Sequence, residues 1–206
     1  MYLFVYPYGC TEQTVSRAFP LLYLEDIMEL TDQMKATKKQ NVQIALQKIY
    51  ERQAGNGMIR YWPGSYTSHY NDYISSYAGH FMIEAEKKGF QLGAGVMAKW
   101  KKYQQTKART WKPYYTTGGY INNELVQAYR LYTLALHQSA EVGAMNRMRE
   151  MDKLQGPSLW FLAATYMLIG QKEEAAKLAE RADKVDYYSY YGYWYYGGNG
   201  HKAIIY

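Results

Sequence analysis

Cys10 and Gln13 are the residues of this chain whose types and spacing point most directly to chemistry. Cys10 is the only cysteine, and a glutamine follows it three positions later in Gly9-Cys10-Thr11-Glu12-Gln13. On a helical turn, side chains at i and i+3 share a face, with Cβ atoms roughly 5–6 Å apart. A thiol so placed can attack the glutamine side-chain carbonyl, expel ammonia and close an internal thioester, a stored acyl group that an amine, a hydroxyl or water can open. Gly9 permits a tight turn that sets Cys10 at the helix mouth, where the helix dipole favours thiolate. Thr11 and Glu12 are then the spacer that sets the ring. The competing reading is a capping box, in which a small polar residue and a Gln three positions on satisfy backbone donors at a helix start. Cysteine is a poor cap and Thr11 beside it a better one, but both readings stand on the sequence.

The four histidines offer less. His80 shares a helical face with Tyr73 and Tyr77, His137 sits near a helix end, and His69 and His201 fall in loops. A Cys10–His80 pair with Asp72 as acid would make a cysteine-dependent acyl-transfer enzyme, though Gln13 then has no role. No His-Glu-x-x-His or multi-cysteine spacing is present, so no metal or cofactor is expected.

Helices must position these residues. Apolar periodicity predicts a first helix over about Thr11–Leu30, kinked at Pro20, and a second carrying Val42, Ala45, Leu46 and Ile49, closing near Gly55-Asn56-Gly57. A third begins near Asp72, expected as its N-cap, shows a Tyr73/Tyr77/Phe81/Ala85 stripe and stops at Gly89. A fourth spans about Ala94–Gln105. A fifth has Leu125, Ala128, Tyr132 and Ala135 on one face, and a sixth runs over about Ala144–Leu154. The Gly156-Pro157-Ser158 turn introduces a seventh, Leu159–Ile169, closed by Gly170, and Glu173–Ala182 form the eighth. The third, fifth and seventh are the more apolar, and the even ones carry more lysine and glutamate. Four hairpins in two layers follow, so the expected fold is all-α, an α/α toroid of helical hairpins, preferred over a solenoid because no strict repeat is seen.

A length of 206 residues suits one domain over 1–206. Its hairpins reach about residue 186, followed by a Tyr/Gly-rich loop over 187–200 and the start of a further helix over 201–206. The 48% hydrophobic and 20% charged composition is that of a globular protein. A net charge of +6 spread over helical faces reads as solvated surface, so no nucleic-acid partner is expected. No apolar run approaches the eighteen or so residues of a membrane span, and no direct membrane contact by this chain is expected. The 25 tyrosines cluster at Tyr61–Tyr70, Tyr114–Tyr120 and Tyr187–Tyr196, either as recognition surface or as aromatic packing of long loops.

The run Tyr6-Pro7-Tyr8-Gly9-Cys10-Thr11-Glu12-Gln13 closely resembles the thioester motif of the α2-macroglobulin and complement family, particularly its bacterial members. Supporting matches are Tyr61-Trp62-Pro63-Gly64, then Tyr77-Ala78-Gly79-His80-Phe81 with Glu84-Ala85. The resemblance implies the thioester domain of a protease inhibitor, with Cys10 and Gln13 as thioester and Tyr6 and Tyr8 as possible shielding. It also implies partners: target proteases, captured covalently through lysine amines, and other domains of the same parent chain. A single-use trap of this kind is not an enzyme. Family thioester domains are toroids of about six hairpins, so the chain is expected to be truncated. Bacterial relatives are periplasmic or cell-envelope-associated, in some cases by a lipid anchor outside this region. Complement-type members use a histidine in the loop before the fifth helix; residues 106–123 contain none, which favours direct attack by amines. The remaining alternatives are the Cys/His enzyme, an α/α-toroid carbohydrate-active enzyme and a passive helical protein-binding scaffold.

Overall fold

The computed structural model describes residues 9–64, 71–115 and 121–185. Tyr6, Tyr8, the 187–200 loop, the 201–206 helix start, His69 and His201 lie outside the described residues. The chain forms two compact units, Met1–Gln104 and Gln105–Tyr206. The helices run α1 (Thr11–Ala18), α2 (Leu24–Ile27), α3 (Asp32–Arg52), α4 (Asn71–Lys87), α5 (Val96–Thr110), α6 (Glu124–Leu136), α7 (Val142–Arg149), α8 (Gly156–Leu168) and α9 (Lys172–Asp183). Two residues of β1 (Tyr114–Tyr115) pair antiparallel with β2 (Ile121–Asn122). The all-α class expected from the periodicity holds. Among the described residues no helix is long and apolar enough to cross a membrane.

In the first unit, the long first helix expected over Thr11–Leu30 is broken in three. α1 ends at Ala18, Pro20 opens a 3₁₀ turn over Pro20–Tyr23, and α2 closes at Ile27. Proline has no N–H to donate to the preceding turn, so the chain rewinds there. Val15, Ala18, Leu21 and Leu22 nevertheless stay buried where this segment packs on α3 and α4, whose Val42, Ala45, Ile49, Ala78 and Phe81 are buried as well. Aromatic and polar contacts tie the far end of α1 to α4. Phe19 stacks on Tyr77 at 6.0 Å between centroids and meets His80 edge-on at 5.0 Å, while the Tyr23 hydroxyl donates to Glu84 at 2.6 Å.

α4 is already helical at Asn71, so Asp72 lies in its first turn and is not the N-cap. It accepts a 2.7 Å hydrogen bond from the Tyr103 hydroxyl of α5. The expected Tyr73/Tyr77 stripe is only partly core: Tyr73 is exposed, and Ile74, Ala78, Phe81 and Met82 carry the buried face. α5 lies so close to α4 that a Cβ on Gly79 would sit 2.1 Å from the Trp100 ring, whose Nε1 donates to the Ser75 carbonyl at 2.6 Å.

The second unit packs Leu131 and Leu134 of α6, Met145 and Met148 of α7, Leu159 and Leu162 of α8 and Leu178 of α9 into one core. Leu125, expected on the buried face, is exposed. α7 stops at Arg149 and not at Leu154, because Arg181 of α9 reaches across to the Arg149 and Met151 carbonyls and satisfies them. α8 starts earlier than expected, at Gly156, since proline is tolerated in a helix's first turn. Buried Glu124 accepts from the Gln155 backbone N–H at 2.9 Å, and burial lifts its carboxyl pKa to about 7.

Two outcomes are expected. Gly79→Ala forces Trp100 from its seat and lowers stability by about 1–3 kcal/mol in denaturant unfolding. Burial pushes His80 down to about 4 from its ordinary 6.5, with Lys87 assisting and Glu84 opposing. The folded state thus holds His80 neutral where the unfolded chain takes up a proton. Its contribution is complete above pH 6.5 and is lost progressively as pH falls toward 4. In thermal melts, His80→Gln flattens that part of the pH dependence.

Candidate functional site

The site is the N-terminus of α1, where the first-turn N–H groups have no partner within the helix. Cys10 is the N-cap, extended at φ −62° and ψ 169°. Its sulfur accepts the Gln13 N–H at 3.4 Å, and the Gln13 side-chain Oε1 accepts the Cys10 N–H at 3.2 Å. The Cys10 carbonyl takes the Thr14 N–H at 3.0 Å and the Thr14 hydroxyl at 3.0 Å. The Thr11 N–H goes instead to the Tyr61 carbonyl, 2.9 Å away on the segment that crosses the helix mouth. The capping box is therefore present in full. It is also the arrangement that folds thiol and carboxamide back onto one another's residue. The thiol is free and the carboxamide intact in this arrangement.

Gly9 has a steric reason beyond the turn. A Cβ there would lie 2.9 Å from Gln13 Oε1 and 3.3 Å from Gln13 Cβ, in the space the carboxamide occupies. Exposure divides the pair: Cys10 is 3% exposed, whereas Gln13 is exposed. Gln13 opens onto a cleft of about 100 Å³ between α1 and α3, flanked by Thr14, Arg17, Asn41 and Lys48. Glu12, the spacer, accepts from the Tyr61 hydroxyl at 3.3 Å.

Two residues that sequence reasoning did not assign to the site close around it. Tyr61 has its phenol pKa raised, first by a hydrogen bond with the Cys10 side chain, then by burial and by the charges at Cys10 and Glu12. Arg52, at the end of α3, is 6% exposed. It donates through Nη2 to the Gly9 carbonyl at 2.8 Å and through Nη1 to the Thr11 and Thr14 hydroxyls, each at 3.2 Å. Burial lowers its pKa, an effect opposed by Cys10 and Glu51. A signal was available: Arg52 continues the Val42, Ala45, Ile49 stripe at i+3, which puts a cation on the buried face of α3.

The Cys10–His80–Asp72 arrangement is not assembled. His80 packs on Phe19, the C-cap of α1, about 13 Å of helix rise from Cys10. Asp72 and His80 stand eight positions apart on α4, about 12 Å along its axis.

The A-macroglobulin TED domain family matches residues 1–111, more than half of the chain. The chain belongs to the α2-macroglobulin family, within its thioester-containing domain. It is 28% identical over 203 residues to an α2-macroglobulin of Rickettsia conorii, covering 93% of this chain and 10% of that protein. A native Escherichia coli α2-macroglobulin structure, running from domain MG7 to the C-terminus, shares the fold with a TM-score of 0.72 at 24% identity, over 89% of this chain and 30% of that one. The same fold appears in a trypsin-activated form of the Escherichia coli protein, with a TM-score of 0.71 at 22% identity over 88% and 13%. A Salmonella α2-macroglobulin reacted with methylamine gives 0.69 at 25% identity over 91% and 13%. The chain spans about a tenth of the length of the curated relative.

Gly9→Ala tests the geometry without reference to any reaction. The added methyl displaces the Gln13 carboxamide, so the Cys10 amide proton exchanges faster, while the melting midpoint changes by less than about 1 kcal/mol equivalent.

Proposed function

We propose that Cys10 and Gln13 form an internal thioester and that this chain is the covalent-capture part of an α2-macroglobulin-type protease trap. The reciprocal Cys10–Gln13 hydrogen bonds at the α1 N-cap, inside a region matched by the thioester-domain family, carry the reading. Thioester formation joins the Cys10 sulfur to the Gln13 acyl carbon and releases ammonia. A lysine amine then attacks that carbon, the carbon–sulfur bond breaks with its electron pair on sulfur, and the amine's proton ends on the thiol or in water. The product is an amide between Gln13 and the attacker, so each molecule acts once, without turnover, and the chain is not an enzyme.

The site's division suits that reaction. The acyl carbon's side chain faces an open cleft, while the sulfur leaves into a buried setting. Gly9, Thr11 and Glu12 hold the turn. Tyr6 and Tyr8 precede it and are proposed as shielding. Relatives supply the biological setting: a trypsin-activated Escherichia coli protein and a methylamine-reacted Salmonella one fit capture of proteases through amines. Other domains of a longer parent chain are the further proposed partners, with 1–206 forming the thioester-containing domain. A periplasmic or cell-envelope location is the proposed setting, in keeping with the bacterial origin of the relatives.

Treating the native full-length protein with methylamine should release one thiol, at Cys10, and add one methylamine at Gln13, located by peptide mass spectrometry. Cys10→Ala should do neither. A wild-type protein that remains unmodified under conditions where it is folded contradicts the trap reading.

A further inference from the structure

We propose that Arg52 is a positioning residue for acyl transfer at Gln13, acting through the Gly9–Cys10 peptide, whose N–H serves as the oxyanion donor. The proposal rests on the thioester reading above.

Gln13 Oε1 is the atom on which the charge of acyl transfer would develop. In the carboxamide it stands for the acyl oxygen of the thioester, and after nucleophilic attack for the oxyanion of the tetrahedral intermediate. Its partner is the Cys10 backbone N–H, 3.2 Å away. Catalytic hydrogen bonds of this kind are long at rest and shorten as charge develops. The N–H belongs to the peptide unit whose other end is the Gly9 carbonyl, and that carbonyl receives Arg52 Nη2 at 2.8 Å. A trans peptide is planar, with C=O and N–H pointing in opposite directions. Clamping the oxygen end therefore aims the hydrogen end. A guanidinium on the oxygen also draws electron density out of the amide and makes its N–H a stronger donor.

Arg52 is built to hold that plane still. Its second nitrogen is divided between the Thr11 and Thr14 hydroxyls at 3.2 Å each, and Thr11 is in turn fixed by donating to the Arg60 carbonyl at 2.5 Å. At 6% exposure the cation is little screened by water. Gly9 completes the arrangement by lacking the Cβ that would occupy the oxygen's place. A donor already in position needs no reorganisation when the negative charge appears, which is the condition for oxyanion stabilisation.

The amine nitrogen bonds to Gln13 Cδ and the carbonyl π pair moves onto Oε1, facing the Cys10 N–H. The pair returns as the carbon–sulfur bond breaks, sulfur departs with the bonding electrons, and the amine's surplus proton passes to sulfur or water. Thioester formation runs through an oxyanion at the same atom, with ammonia as the leaving group.

The test compares wild type, Arg52→Gln and Arg52→Lys in the native full-length protein, by rate of thiol release with methylamine and by the infrared carbonyl stretch of the thioester. Melting curves report folding separately. Arg52→Gln should open about tenfold more slowly, with the stretch at higher frequency because the carbonyl is less polarised. Arg52→Lys should fall between, since one ammonium cannot span Gly9, Thr11 and Thr14 together. A folded variant that never loses ammonia supports the proposal as well, because formation uses the same donor. Should Arg52→Gln fail to fold, Arg52→Lys decides alone. Wild-type rate and wild-type frequency in the folded variant overturn the role of Arg52 while leaving the thioester intact. Absence of any thioester in wild type overturns both.

Discussion

Hydrogen-bond satisfaction at one helix mouth governs this site. The opening N–H groups of α1 must find acceptors outside the helix. The sequence supplies a sulfur, a side-chain carbonyl and the Tyr61 backbone in place of an ordinary hydroxyl cap. A serine at Cys10 would satisfy the same donor more strongly, because sulfur is a weak acceptor. The cap thus accepts a poorer hydrogen bond and places a nucleophile beside an acyl group. The capping box is formed, and the proposed thioester would be a second use of the same geometry.

The rest of the first unit serves that end of α1. Val15 and Ala18 are buried along the helix, and Phe19 anchors its other end among Tyr77, His80 and Phe81. Arg52 and the Arg60–Tyr61 segment grip the N-terminal end. With both ends fixed, the cap has little freedom to rotate away from Gln13. The division of labour also explains His80: it belongs to the aromatic end, held neutral by burial, and not to the sulfur.

Much of this was legible in the sequence. The helices with clean apolar periodicity, α3 and α8 above all, fall close to their expected places, because burial of a stripe is a property of spacing alone. Their ends were less legible. α7 stops where Arg181 arrives from α9, a contact that no local pattern contains. Pro20, expected to kink one helix, instead divides it, opening a 3₁₀ turn at a position where its missing N–H is not needed. Of the site, Gly9, Cys10 and Gln13 could be read because they are neighbours in sequence. The carbonyl of Tyr61 could not, because main-chain acceptors have no signature, and Arg52 is masked because a buried arginine resembles a last-turn residue favoured by the helix dipole. Periodicity did mark Arg52's face, and an arginine on an apolar stripe is the clue to look for elsewhere.

The central claim is that the Cys10 sulfur and the Gln13 carboxamide are held close enough to exchange ammonia for a carbon–sulfur bond. Intact mass of the untreated native protein, beside its Cys10→Ala variant, tests this most directly. The account predicts a wild-type mass lower than its sequence by one ammonia, with the Cys10→Ala mass matching its own sequence. A folded wild-type protein carrying the full sequence mass and a titratable thiol would contradict it.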